Sequence, residues 1–184
     1  MVAFALGLLI PIVIIFMREN MNTRVRGRKD LENLTIPFIG EIPLFTRKKK
    51  GILGKKPQEV KAVIVKEGNR DIINEAFRVL RTNLEFMTGK DKTSNVIIMT
   101  SFNPGSGKSF LTMNIAVSLA IKGKKVLVID GDLRHASASS YIDSPDKGLS
   151  DYLGGRIDNL DEIIVPDPKH KSMDILPVGT IPPN

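Results

Sequence analysis

The sequence predicts an α/β fold with a mostly parallel sheet, preceded by one transmembrane helix. Three observations predict it. Two compact apolar runs rich in β-branched residues, at 95–100 and 126–129, read as buried strands with a helix-length segment between them. The second run ends in Asp130 and Asp132, and the carboxyl ends of strands are where open parallel sheets bind ligands. Residues 1–17 hold no charged side chain and almost no polar one. The domain organisation expected from these features is a transmembrane helix at 1–17, a cytoplasmic juxtamembrane linker at 18–70 and an α/β domain from 71 to 184.

The N-terminal run reaches about 25 Å as a helix, slightly short of a hydrocarbon core of about 30 Å. A signal peptide would place positive charge before the run and a small-residue cleavage site after it. Here the cations follow, as Arg18, Arg24, Arg26, Arg28 and Lys29, which favours a span and places the residues after it in the cytoplasm. A second basic cluster comprises Arg47, Lys48, Lys49, Lys50, Lys55 and Lys56. Both clusters lie in the first third of the 184-residue chain, so much of the net charge of +7 reads as solvated juxtamembrane charge. Cysteine is absent, which excludes disulfides and thiolate metal sites. Trp is also absent and aromatics make up 5%, which argues against a stacking platform for nucleic acid.

Between span and domain, residues 30–34 read as a short helix and 36–43 as an extended segment biased by Pro37 and Pro43. Residues 46–70 read as a linker with a short strand at 60–65. From Asp71 a helix is expected, because Ile72, Ile73, Ala76, Phe77, Leu80, Leu84 and Met87 recur at helical spacing. On its polar side Glu75, Arg78 and Arg81 form one stripe, which spacing alone reads as intrahelical ion pairing.

The segment after the first strand run is Pro104-Gly105-Ser106-Gly107-Lys108-Ser109-Phe110, opening a helix through Ile121 whose Leu111, Ile115, Ala116 and Leu119 are expected to face the sheet. Strand, glycine loop, Lys-Ser and helix form the context of a P-loop. Gly105 and Gly107 let the backbone turn its N–H groups towards a phosphate, and the helix start adds its positive end. Lys108 supplies a charge for the β- and γ-phosphates, and the Ser109 hydroxyl is a ligand for Mg²⁺. The strict pattern has glycine where this chain has Phe102. Gly123 is expected to cap the helix, and Asp130-Gly131-Asp132-Leu133-Arg134 follows the second strand. Asp132 is a candidate Mg²⁺ ligand or proton acceptor, Asp130 a group that orients the metal's waters, and Arg134 a phosphate contact or plain ion-pair partner. His135 and His170 read as surface residues without a metal role, and 137–140 as a polar loop. Short helices are expected at 149–155 and 160–165, and a third strand at 173–179.

Taken in order, these blocks resemble the bacterial tyrosine kinases of capsule and exopolysaccharide export, fused to a chain-length-determinant membrane part. The blocks are the apolar span with its cationic stop, 30–43, Glu75 to Leu84, Thr100 to Ser109, Val126 to Arg134 and Leu176 to Gly179. The resemblance implies a P-loop NTPase fold, ATP with Mg²⁺, and autophosphorylation on a tyrosine-rich tail of a neighbouring subunit. It makes Lys108, Asp130 and Asp132 the catalytic set, 104–110 the nucleotide loop, and Ser109 with Asp132 the metal ligands. It also makes Glu75, Arg78 and Arg81 a subunit contact in a homo-oligomer such as an octameric ring. Implied partners are the polysaccharide export machinery, a phosphatase and the bacterial inner membrane, with no nucleic acid.

A third acid-ended strand and a tyrosine cluster do not follow; Tyr141 and Tyr152 stand alone. The chain is therefore expected to be a fragment cut at both ends, and by itself a poor kinase or none. Two rival readings are a partition- or septum-positioning ATPase, which would carry Lys where this chain has Asn103, and a non-catalytic membrane co-polymerase segment whose nucleotide site governs assembly.

Overall fold

The computed structural model describes residues 2–21, 27–31, 34–44, 63–89 and 95–181. The chain forms two compact units, Met1–Phe38 and Ile39–Asn184.

The first unit carries helix α1, Val2–Asn20, with Pro11 inside it. No helix among the described residues is long and apolar enough to cross a membrane, so the expected transmembrane helix is not supported. The apolar part of α1 extends about 24 Å against about 30 Å of hydrocarbon. Arg18, Glu19 and Asn20 complete the helix with polar groups. Arg28–Leu31 makes one 3-10 turn near the expected short helix. Arg24, Arg26 and the whole of the second basic cluster lie outside the described residues.

The second unit runs α2 (Ile72–Thr88), α3 (Lys108–Ile121), β1 (Val126–Ile129), α4 (Leu149–Leu153), β2 (Val165–Pro166) and β3 (Met173–Leu176). Helix α2 begins where Asp71 accepts the Asn74 N–H at 2.8 Å, a cap that satisfies one of the donors a helix start leaves open. Its periodic apolar face packs on α3, with Phe77 and Phe110 edge to face at 6.0 Å. Helix α3 ends at Ile121 with Lys122 as its C-cap, and Gly123 follows with a φ of 82°, the left-handed conformation expected of a glycine just past a helix end. The Gly123 N–H donates to Ala120 O at 2.8 Å.

Helix α3 is the centre of the unit. Met113, Ile115, Ala116, Val117 and Ala120 are all buried, because α2 packs on it as well as the sheet. The expected sheet-facing stripe is therefore too narrow: Leu111 and Leu119 are only partly buried, and Met113 and Val117 join the core.

The sheet has strand order β1-β3-β2. β1 and β3 are parallel, with Val126 opposite Met173 and Ile129 opposite Leu176. β2 pairs antiparallel to β3, so this sheet is mixed rather than mostly parallel. β1 is buried on one face only: Val128 enters the core while Leu127 and Ile129 are exposed.

The run at 95–100 is not a strand. It has no regular structure, and Val96 and Ile98 are exposed, while Met99 alone of the run packs against the core. Apolar β-branched sequence makes a run fit for burial, but a strand exists only through pairing. No strand among the described residues pairs with this one.

Residues upstream of 71 also pack in this unit. Ile39, Ile42, Val63 and Ile64 lie against the core, and Val65 is buried. The strand expected at 60–65 is not formed over its described part. Side-chain amides take the place of a strand ladder there. Ile64 and Val65 N–H groups donate to Asn114 Oδ1 at 2.8 and 3.1 Å. The Lys66 N–H donates to Asn74 Oδ1 at 2.9 Å.

Candidate nucleotide site

Helix α3 and strand β1 are joined by the short connection 122–125 and pack together, so they run in opposite directions. The helix start, Lys108, therefore lies towards the same end of the unit as the strand end, Asp130. This brings the two halves of the predicted site to one end of the fold.

The first half is an open loop. Phe102 is fully exposed, and Asn103, Pro104, Gly105 and Ser106 are exposed too. Gly105 and Gly107 have φ values of 74° and 89°, which glycine adopts without strain. Ser101 and Ser106 hydroxyls both donate to Asn103 O, at 2.9 and 2.6 Å. Gly107 is the N-cap of α3 and offers no side-chain cap. Among the described residues the first N–H groups of the helix thus have neither an intrahelical nor a side-chain capping partner, the arrangement that receives an anion. Lys108, Ser109 and Phe110 form the first turn, partly buried. Phe110 also joins the core by its contact with Phe77, so it anchors the loop from below.

The second half is closed. Asp130 is only 4% exposed. Its Oδ2 accepts the Ser139 N–H and the Ser139 hydroxyl, both at 2.7 Å, and its Oδ1 accepts the Asp132 N–H at 3.3 Å. Asp132 is more open. Its Oδ1 receives the His135 N–H at 3.1 Å, lies 3.3 Å from the His135 ring nitrogen and 3.4 Å from the Arg134 N–H. Burial pushes the Asp132 carboxyl up, but the His135 and Arg134 contacts outweigh it and hold the group below the usual carboxylate range. Arg134 and His135 are exposed. Burial pushes the Tyr141 hydroxyl up.

These residues fit a Mg-nucleotide. No group of three or more His, Cys, Asp or Glu able to cage a metal occurs among the described residues. Mg²⁺ in such sites is held by one or two protein oxygens together with substrate phosphates and water. Ser109 and Asp132 carry oxygens of that kind, and the helix start has no side-chain cap on its N–H groups.

Sequence reasoning passed over two residues that tie loops together, one of them within the site. Ser139, read only as part of a polar loop, holds Asp130. Asp151 closes a second loop: its Oδ2 accepts the Gly148 N–H at 3.0 Å and the Thr180 N–H at 3.1 Å, and its Oδ1 accepts from Arg156 Nε at 2.8 Å. The Thr180 N–H foremost, with the other donors and against the effect of burial, holds the Asp151 carboxyl well below the usual carboxylate range. An acid three residues after a helix-starting glycine was the one available signal for it.

The stripe on α2 divides. Arg78 Nη1 pairs with Glu75 Oε1 at 2.7 Å, both half-exposed. Arg81 turns to α3 instead, donating to Ser118 O at 2.7 Å and reaching Ser118 Oγ at 3.2 Å. His170 pairs with Asp167 in the turn between β2 and β3.

Residues 97–165 match the CobQ/CobB/MinD/ParA nucleotide-binding domain family. The chain is 30% identical over 185 residues to a putative tyrosine-protein kinase in the cps region of Klebsiella pneumoniae, covering 97% of this chain and 25% of that protein. It is 32% identical over 133 residues to the putative tyrosine-protein kinase CapB of Staphylococcus aureus, covering 72% of this chain and 57% of CapB. In fold it matches the kinase domain of the Escherichia coli tyrosine kinase ETK with a TM-score of 0.68 at 30% identity, over 88% of this chain and 62% of that one. The chimerical protein CapA2B2 matches with a TM-score of 0.66 at 31% identity, over 86% and 62%. The chain thus spans about a quarter of the length of the first of these relatives. With tyrosine-protein kinases matching along nearly its whole length and kinase domains matching its fold, the chain is similar to the bacterial tyrosine kinases and shares their α/β P-loop architecture.

Proposed function

We propose that this chain is the nucleotide-binding portion of an ATP-dependent protein-tyrosine kinase that regulates capsular or exopolysaccharide polymerisation and export. The observation that carries this reading is the uncapped start of α3 at Gly107-Lys108-Ser109, set at the same end of the unit as Asp130 and Asp132. In this reading the backbone of 104–110 cradles the phosphates and Lys108 neutralises their charge. Ser109 and Asp132 hold Mg²⁺, which when bound neutralises charge on the transferred phosphoryl group. Asp132, held ionised by its neighbours, also orients the incoming hydroxyl. Asp130, enclosed by Ser139, acts through the loop that it anchors rather than by contact.

The decisive experiment is a calorimetric titration with Mg·ADP. Lys108→Met is expected to weaken binding by at least about tenfold, the cost of losing a charge-assisted contact. Equal titration curves for parent and variant would overturn the reading.

We further propose a homo-oligomer contact through Glu75 and Arg78, with Arg81 supporting the stripe by fixing α2 to α3, and placement at the bacterial inner membrane through the exposed apolar surface of α1. Light scattering of the triple Ala variant is expected to give a smaller particle, and the chain is expected to float with lipid vesicles. An unchanged particle mass or a failure to float would refute the respective part.

A further inference from the structure

We propose that Ser139 is the positioning residue of this site: its hydroxyl fixes Asp130 and, through it, the loop that presents Asp132. The inference rests on the nucleotide-site reading above.

Ser139 is 2% exposed, and its hydroxyl is used twice. It donates to Asp130 Oδ2 at 2.7 Å and accepts the Val178 N–H at 2.9 Å. The result is a continuous relay from Val178 N–H through Ser139 Oγ–H to Asp130 Oδ2. Val178 follows β3, and Asp130 follows β1. The relay therefore fastens together the loops that leave two neighbouring parallel strands. The Asp130 N–H, which donates to Leu176 O at 3.0 Å, adds a backbone tie at the same place.

The same contact closes the neck of a loop. Asp130 and Ser139 are nine positions apart, and the residues between them include Asp132, Arg134 and His135. Within that loop Ala136 adopts φ of 45°, a conformation unfavourable for a residue with a Cβ. The turn is tied within the loop by the Ala136 N–H, which donates to Asp132 O at 2.9 Å, and the neck contact closes the loop around it. With the neck fastened, Asp132 is presented on a short, closed loop. With it loosened, both Asp132 and the strained turn gain freedom.

The chemistry of Ser suits this task. A hydroxyl both donates and accepts, so one atom serves the carboxylate and the amide together. Ala would leave the Val178 N–H without its acceptor and take one of two donors from Asp130 Oδ2, in a place water does not reach. Ser139→Thr keeps the hydroxyl.

The test compares binding of a fluorescent ADP analogue with and without Mg²⁺ for the parent chain, Ser139→Ala and Ser139→Thr. Ser139→Ala is expected to weaken Mg-dependent binding by about tenfold while leaving metal-free binding near the parent value. Ser139→Thr is expected to restore most of the loss. Amide exchange at Val178 is expected to speed up in Ser139→Ala and not in Ser139→Thr. Equal Mg-dependent binding in parent and Ser139→Ala would overturn the proposal, as would a loss of the same size with and without Mg²⁺, which marks general destabilisation. A failure of the underlying reading looks different, since the parent itself would then bind no nucleotide and Lys108→Met would change nothing; the positioning role falls with it.

Discussion

The phosphate loop at 101–107 and the paired loops at 148–151 and 177–180 are both built on glycine, and they use it in opposite ways. At Gly107 an added Cβ would meet nothing within 4 Å, yet φ is 89°. At Gly148 φ is −174°, which any residue adopts, yet an added Cβ would fall 2.3 Å from Gly179 N and 2.4 Å from Pro177 O. One glycine frees the backbone to turn, and the other lets two backbones touch. The open loop leaves its donors for a ligand. The closed pair spends its donors on itself, through Leu149 N–H to Pro177 O at 2.8 Å and Ser150 N–H to Val178 O at 2.9 Å. An open loop and a closed one are thus distinguished by where the polar backbone groups find partners.

The comparison breaks most directly at Gly148. Gly148→Ala forces a methyl group into backbone atoms that cannot rotate away. Its expected cost is about 3 kcal/mol or more, read as a lower midpoint in urea unfolding. A change under about 0.5 kcal/mol, the range of an ordinary surface substitution, would mean that the two loops do not approach this closely in solution.

Asp151 tests the same contact by pH. Its pKa in the folded chain lies below that of an ordinary carboxyl, so the ionised form is favoured by folding. The stabilisation is fully present above the unfolded-state pKa of about 3.9 and is lost as pH falls below it towards the folded value. Asp151→Asn is expected to be less stable than the parent at neutral pH and to show a shallower decline in stability through the acid range. Parallel stability-against-pH curves for the two would show that the carboxylate does not grip Gly148, Thr180 and Arg156 as described.

How far such features could be read in advance depended on whether they were local. α2, α3, β1 and the core of β3 were legible, because helical spacing and β-branched runs are written along the chain. The glycine loop and the strand-end acids were legible for the same reason. Residues 95–100 were not, since their composition favours burial but pairing depends on neighbours distant in sequence. Asn114 and Ser139 were illegible because nothing nearby marks a buried polar residue whose partners lie 49 and 39 positions away. The stripe on α2 was legible as a pattern, but the turn of Arg81 towards Ser118 depends on how α3 packs.

The smallest effect on stability, and the sharpest on function, is expected at Gly107. Replacing it by Ala puts a Cβ on a residue at φ of 89°, with open space around it. The cost to folding is the left-handed backbone penalty alone, about 1–2 kcal/mol, with no steric collision to add. Two outcomes are available to the chain. It can keep the turn and carry the strain, or it can relax the turn and swing the first N–H groups of α3 off the line along which a phosphate approaches. Either way the site is harmed more than the fold. Gly107→Ala is therefore expected to unfold at a urea concentration between those of the parent and Gly148→Ala, while binding Mg·ADP markedly more weakly. If Gly107→Ala bound the nucleotide as the parent does, the left-handed turn would be incidental to the site. If it lost as much stability as Gly148→Ala, the loop would be part of the scaffold after all, and the distinction between an open binding arm and a closed supporting arm would fail.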